Sequence, residues 1–396
     1  MKSESGGDIG NVTIMTMSSE KHQDSGAANG STVPQKLTPN AAAGIPRIPI
    51  PGPKAYNREV ETKGNDTWSP ATYQNYLPTW PTDKYPSLEP FVHVDPGSRA
   101  DPSFPDLHPP GSKHTPINPT IGTKITGVQL SSLSDAGKDQ LALLAAQRKV
   151  LVFRDQDFAS LPIEKAIEFG SYFGRLHVHP SSATTATHHQ IHIVHRGAGD
   201  ETWSRFFKGR CSHVSFHTDT ITEEQPPGTT FMYILDLPES GGDTIFADQV
   251  QAYKRLSPGF QERLHGLKAQ YAGPDGGRGG ICRREPVIVE HPIVRTHPVT
   301  GDKALYITKG SCKGIVGWKK EESDMLLGFL NGHTAGGQDF QVRVKWKKGT
   351  VVVWDNRVTA HSSILDWETG ERRHLARITP QAEKPIETPF GDISRC

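Results

Sequence analysis

The sequence predicts a mainly β protein with flanking helices, its strands folded into a sandwich or barrel. Three observations carry that prediction. Short apolar or alternating runs dominate the second half: TTFMYILDL (229–237), PVIVEHPIVR (286–295), ALYIT (304–308), FQVRVKW (340–346), GTVVVWDN (349–356) and RHLARIT (373–379). Each has the length of a strand, with turn residues between them. The 396 residues include 39 Gly and 31 Pro, well above the ~12% combined share of an average chain. Helical periodicity is confined to a few segments.

The elements follow in order. Residues 1–55 are rich in Ser, Gly, Asn, Thr and Ala, show no amphipathic period and end in IPRIPIPGPK. Such a stretch cannot bury enough apolar surface to offset its ordering entropy and is expected to be disordered. Residues 56–118 scatter Tyr56, Trp68, Tyr73, Tyr76, Trp80, Tyr85 and Phe91 among prolines. They are expected to form an irregular extension packed on the core, because alone they would bury too little surface. The main domain is expected over 119–396. Within it ITGVQL (125–130) reads as a strand. LSDAGKDQLALLAAQRK (133–149) reads as a helix with Ser134 as N-cap and an apolar stripe of Leu141, Leu143, Leu144 and Ala145. VLVFRDQ (150–156) reads as a buried strand, IEKAIEFGSYFG (163–174) as a helix ended by glycine, and KEESDMLLGFLNGH (320–333) as a later helix.

Composition excludes several classes of function. Basic and acidic side chains nearly cancel, 44 against 43, for a net charge of +1. A nucleic-acid binder needs a basic surface and is not expected. No run approaches the ~18 apolar residues of a membrane span, and the N-terminus has no apolar signal core. Cys211, Cys282, Cys312 and Cys396 show no paired spacing. Neither a disulfide framework nor a thiolate zinc site is expected, and Cys211 reads as a small packed hydrophobe. These features suit a cytoplasmic protein acting on a small molecule.

The chemistry concentrates around His217-Thr218-Asp219 and a distant His361. Residues i and i+2 of a strand share a face, so His217 and Asp219 would aim an imidazole and a carboxylate at one point. His361 follows the apolar run VVVW, at the far end of a neighbouring strand. Two imidazoles and one carboxylate form the facial triad of a non-haem Fe(II) oxygenase, with coordination positions left open. The bland reading, a surface-turn histidine beside a solvated aspartate, has 18 histidines in its favour. Context weighs against it. Gly241-Gly242-Asp243-Thr244 follows, WDNRVTAH (354–361) leads into a basic strand, and Arg373, Leu375 and Arg377 alternate onto one face of that strand. Buried guanidiniums require anions, which their planar fork binds in bidentate fashion. Six histidines crowd residues 177–195 without the spacing of a metal motif, and GPDGGRGG (273–280) lacks the ending of a phosphate loop. That glycine cluster reads as a mobile loop over the site. A zinc hydrolase or a non-catalytic jelly-roll binding module is the rival reading, and both leave the two arginines unexplained.

Taken together the motifs resemble the TauD/TfdA family of Fe(II)/2-oxoglutarate-dependent dioxygenases, above all its taurine dioxygenases and fungal sulfonate dioxygenases. The likeness runs from about residue 117 to the end, through IGTKITGVQL, VLVFRDQ, FGRLHVHP, FHTD, GGDT, HPIVRTHPVTGDKALYI, WDNRVTAH and RRHLAR. It implies a double-stranded β-helix, a jelly-roll, cupin-like core with iron at its mouth. It implies His217, Asp219 and His361 as the catalytic metal ligands, Thr244 and Arg373 as contacts of the cosubstrate 2-oxoglutarate, and Arg377, His179 and His213 on the substrate side. Fe(II), 2-oxoglutarate and O2 are the implied cofactor and cosubstrates. The implied reaction hydroxylates a small anionic substrate, a taurine-like sulfonate, releasing succinate, CO2, sulfite and an aldehyde. A carboxylate, a sulfate ester or a secondary metabolite is the competing substrate. A homo-oligomer, dimer or tetramer, is implied as well. Two departures bear on substrate: Ser182 stands where the family has a pocket Tyr, and Ser311 where it has a Phe. One extra residue between His361 and the arginine pair makes Arg372 a competitor for the cosubstrate, although the alternation favours Arg373.

Overall fold

A computed structural model describes residues 56–201, 207–209, 211–212, 214–273, 282–367 and 369–391. The segment expected to be disordered, His213, Cys396 and all but the first residue of the glycine cluster lie outside the described residues. The strands in chain order are β1 (Lys113–Pro116), β2 (Thr123–Thr126), β3 (Val150–Phe153), β4 (His192–Arg196) and β5 (Thr229–Asp236). There follow β6 (Thr244–Asp248), β7 (Lys268–Ala272), β8 (Ile288–Pro292), β9 (Val294–Thr296) and β10 (Lys303–Leu305). The last are β11 (Cys312–Ile315), β12 (Gln341–Val344), β13 (Val351–Asp355), β14 (Thr359–Ser363) and β15 (Arg373–Ile378). Helices are α1 (Arg58–Lys63), α2 (Asp135–Arg148), α3 (Ile163–Ser171), α4 (Gln249–Lys254), α5 (Pro258–Leu264) and α6 (Lys320–Gly336).

A large sheet runs in the order β1-β2-β3-β13-β5-β15-β4, and a small one in the order β12-β6-β14. Strand alternation explains how they face each other. Val150, Val152, Met232, Ile234, Val352, Trp354 and Leu375 of the large sheet meet Phe246, Val342 and Val344 of the small sheet in one apolar cluster. Leu151, Phe153, Phe231, Tyr233, Val353 and Ile378 point the other way, into a second cluster with Leu141 and Leu144 of α2, Phe169 of α3 and Tyr76 of the extension. Both faces of the large sheet are therefore covered. Hence VLVF and VVVW are apolar without interruption. The two facing sheets make the jelly-roll core.

Ser134 caps α2 as expected, its Oγ accepting the Gly137 N–H at 2.9 Å. PVIVEHPIVR divides into β8 and β9, which belong to different sheets. The expected strand over 125–130 starts earlier and ends at Thr126, and its partner β1 carries the large sheet back to Lys113. The extension is anchored by polar contacts as well as by Tyr76. Glu61 of α1 is buried and takes both the Ala198 N–H (2.9 Å) and the Arg372 guanidinium. Cys211 is exposed, not packed: the turn that carries it lies outside both apolar clusters.

Candidate active site

One backbone bridge brings the two histidines together. The chain at 217 runs antiparallel to β14, with His217 N–H donating to His361 O (3.0 Å) and His361 N–H to His217 O (2.9 Å). Directly opposed residues of antiparallel strands share a face, and the two rings lie 4.4 Å apart. The expected strand through His217 and Asp219 is corrected here. The chain leaves the sheet after 217: the Thr308 hydroxyl accepts the Thr218 N–H (2.9 Å), and Asn356 Oδ1 accepts the Asp219 N–H (2.9 Å). Asn356 Nδ2 returns to the Asp219 carbonyl (3.1 Å), and Thr220 turns the chain at φ 43°. A braced turn delivers the carboxylate. His361, too, lies on the small sheet and not at the end of the VVVW strand, because β13 stops at Asp355 and the chain crosses over.

The three donors converge. Nε2 of His217 and of His361 lie 3.8 Å and 3.6 Å from Asp219 Oδ1. Among the described residues these three form the single His/Cys/Asp/Glu group whose ligand atoms all lie within 4.8 Å of one another. Bonds of ~2.1 Å to one ion hold neighbouring ligand atoms about 3 Å apart, so small side-chain shifts close this set on a divalent metal. His217 Nδ1 donates to Ser215 O (3.0 Å), which leaves the Nε2 lone pair for a metal. His361 is packed against Phe246 and Trp354, and burial pushes its imidazole down to about 3, so the ring is neutral. Burial pushes the Asp219 carboxyl up, but the Arg377 guanidinium and the two imidazoles outweigh that and hold it below the ordinary range. The donor set therefore fits a metal in protonation as well as in geometry.

Arg377 and Arg373 lie on the inward face of β15, as their alternation with Leu375 predicts. Arg377 Nη1 donates to both Asp219 carboxylate oxygens (2.7 and 2.8 Å), and Nη2 reaches His192 Nδ1. Arg373 Nε donates to the Gly242 carbonyl at 2.7 Å. Its guanidinium has no carboxylate within ion-pair reach among the described residues, and burial pushes it down to about 10. Thr244, two residues past Gly242, is buried and accepts the Trp346 indole N–H (3.1 Å), leaving its own O–H to donate. Arg372 points the other way, to Glu61 and to Ser69 O (2.9 Å), so it stands outside the site.

His179 is held beside Arg377 through His192, whose ring lies 4.8 Å from its own. His179 Nδ1 accepts the N–H groups of Ser181 (3.2 Å) and Ser182 (3.1 Å), so the neutral ring carries its proton on Nε2. Arg283 ties this loop down through His179 O (2.8 Å) and Ser182 O (2.6 Å). The remaining histidines of the cluster disperse: His177 to Glu223 (2.8 Å), His188 to Glu164 (3.2 Å), His189 to Tyr85 (3.2 Å) and His195 to Glu61 (3.6 Å). Sequence reasoning passed over His192, Asn356, Thr308 and Arg283. The one signal for His192 is that HIVHR carries the same i, i+4 polar pair as RHLAR.

A jelly-roll barrel with two histidines and a carboxylate at its mouth, and buried arginines behind them, defines an oxygenase that uses an acidic cosubstrate. The chain belongs to the taurine catabolism dioxygenase TauD, TfdA family, whose model matches residues 113–379. It is an alpha-ketoglutarate-dependent dioxygenase. An alpha-ketoglutarate-dependent dioxygenase of Penicillium expansum, cnsP, is 45% identical over 83% of this chain and 90% of its own length. The alpha-ketoglutarate-dependent sulfonate dioxygenase of Saccharomyces cerevisiae is 42% identical over 80% of this chain and 79% of its own. Among solved structures, a putative alpha-ketoglutarate-dependent taurine dioxygenase from Burkholderia xenovorans superimposes with a TM-score of 0.58. It is 30% identical and covers 70% of this chain and 91% of its own. No helix among the described residues is long and apolar enough to cross a membrane.

Proposed function

We propose that His217, Asp219 and His361 hold Fe(II), that Arg373 and Thr244 bind the far carboxylate of 2-oxoglutarate, and that the enzyme hydroxylates a small sulfonate held by Arg377 and His179. The observation that carries this reading is the shared inward face of β15. It sets one guanidinium against the Asp219 carboxylate and, four residues away, a second guanidinium with no carboxylate in ion-pair reach among the described residues. Fe(II) and 2-oxoglutarate supply the activation of O2, the keto acid leaving as succinate and CO2.

The protein's own groups do the rest. His361 stays neutral through burial and presents a lone pair, and the Nδ1–H bond of His217 to Ser215 O turns that ring's Nε2 toward the metal position. Asp219 stays ionised beside Arg377. Because Arg377 touches Asp219, a substrate anion resting on Arg377 sets its adjacent carbon one side chain from the metal. His179 offers an Nε2–H to the same anion. Hydroxylation at the carbon bearing the sulfonate gives an adduct that collapses to an aldehyde and sulfite. Ser182 and Ser311 are small, which suits a sulfonate bulkier than taurine. His213 belongs to the same substrate side by resemblance.

The test is to measure succinate and sulfite in parallel with Fe(II), 2-oxoglutarate and a panel of alkyl and aryl sulfonates, sulfate esters and carboxylates. Succinate that depends on both Fe(II) and 2-oxoglutarate, accompanied by stoichiometric sulfite, is expected with sulfonates. Succinate without sulfite across the sulfonates, with turnover of another class, would overturn the sulfonate assignment. In the variant Arg377→Gln the substrate KM should rise ~10- to 100-fold while that of 2-oxoglutarate changes little, since a charge-assisted pair contributes ~1.5–3 kcal/mol. Equal effects on both would reverse the roles of the two arginines.

A further inference from the structure

β4 and β15 pair antiparallel with His192 opposite Arg377 and Arg196 opposite Arg373. Paired residues share a face, so Arg196 stands beside Arg373 at the end of the barrel where the cosubstrate is proposed to lie. Their guanidinium carbons lie 5.9 Å and 6.0 Å from the ring centre of Trp367. Burial lowers both, and the Arg196 charge lowers Arg373 further. Among the described residues neither has a carboxylate within ion-pair distance. The two acids whose fields reach Arg373, Asp243 and Asp366, are already paired with Arg343, at 2.7 Å and 2.5 Å. Asp200 acts on Arg196 through its field alone, and Arg196 Nη1 is buried with no hydrogen-bond partner. Two cations side by side in a dry site are unfavourable unless an anion joins them.

We propose that Arg196 is a second cosubstrate-binding residue, which together with Arg373 clamps the far carboxylate of 2-oxoglutarate from two sides. The inference rests on the reading of the site given above and adds to it a selection device. Two forks and the Thr244 hydroxyl supply enough donors for both oxygens of one carboxylate, so a 2-oxo acid without that carboxylate leaves two buried cations uncompensated.

Anaerobic calorimetry of the whole protein with Mn(II) in place of Fe(II), which binds without turnover, tests this. The probes are 2-oxoglutarate and 2-oxobutanoate, which share the keto-acid end and differ in the far carboxylate. Arg196→Gln should weaken 2-oxoglutarate about 10- to 150-fold, the span of one charge-assisted hydrogen bond, and leave 2-oxobutanoate unchanged. Arg196→Lys keeps the charge without the fork and should show the same selectivity with a smaller loss, which covers the case that the Gln variant does not fold. Equal loss for both acids, or no loss for 2-oxoglutarate, would overturn the clamp. Failure of the wild-type protein to bind 2-oxoglutarate at all would instead overturn the reading of the site.

Discussion

Asn356 is fully buried and satisfies both backbone groups of Asp219, while its Nδ2 also reaches Pro227 O at 3.2 Å. One amide side chain thus sets the angle at which the Asp219 carboxylate, proposed above as a metal ligand, leaves the chain. Replacing it with alanine removes the side-chain partner of three buried backbone groups, each at a cost of ~1–3 kcal/mol. The variant Asn356→Ala should weaken Mn(II) binding ~10- to 100-fold, as loss of a group that orients a metal ligand does. Titration followed by electron paramagnetic resonance measures this, and an unchanged affinity alongside a lower melting temperature would reduce Asn356 to a packing role. Asp219, His217 and His361 were legible as candidate metal ligands because only a few side-chain types bind metals, and the fold brings these three together. Asn356 was not, because an amide that bonds to backbone has no sequence signature beyond a turn.

At the scale of elements, strands could be read where an apolar run or a two-residue alternation marked them, and the longest apolar runs belong to strands covered on both faces. β3 is apolar throughout, and β5 and β13 are apolar over Phe231–Leu235 and Val351–Trp354, as burial on two sides demands. β4, β6 and β14 passed unnoticed because their inward positions interleave His192, Arg196, Thr244 and His361 with only Val194 and Phe246, which leaves no clear apolar period. The turn before β6 shows the same dependence on context. Gly242 has φ 68°, and a Cβ there would stand 2.9 Å from Arg373 Cδ and 3.0 Å from its Nε. The motif GGDT therefore requires glycine for its backbone and for the arginine it cradles. The variant Gly242→Ala should raise the 2-oxoglutarate KM by ~10-fold or more, combining left-handed strain of ~1–2 kcal/mol with displacement of the guanidinium. Metal affinity should stay the same. A KM within twofold of wild type would show that Arg373 does not depend on this turn.

Over the whole molecule, buried ionisable groups set the response to acid. Burial holds the fully buried His291 imidazole down at about 4. Burial pushes the Glu383 carboxyl up, but Arg295 and Arg357 outweigh it and hold the group at about 2. Both shifts act in one direction. The unfolded chain takes a proton on His291 below about pH 6.5 and on Glu383 below about pH 4.3, whereas the folded protein resists each by some two units. Stability is thus full above about pH 6.5 and falls as pH drops, by up to ~3 kcal/mol for each group. Urea unfolding at several pH values between about 7.5 and 4 should show that decline, and His291→Gln should make it shallower between about 6.5 and 4. A wild-type profile level across that window would contradict the assignment. The sequence by itself determined the donor types, the β class and the inward alternation of Arg373 and Arg377, since these follow from side-chain chemistry and a two-residue period. Only the tertiary structure decided that Arg372 turns outward to Glu61, that a turn and not a strand presents Asp219, and that Arg196 joins Arg373. The reason is physical: which face a residue occupies, and what stands opposite it, depends on strand pairing between segments far apart in the chain, and no local pattern records that register.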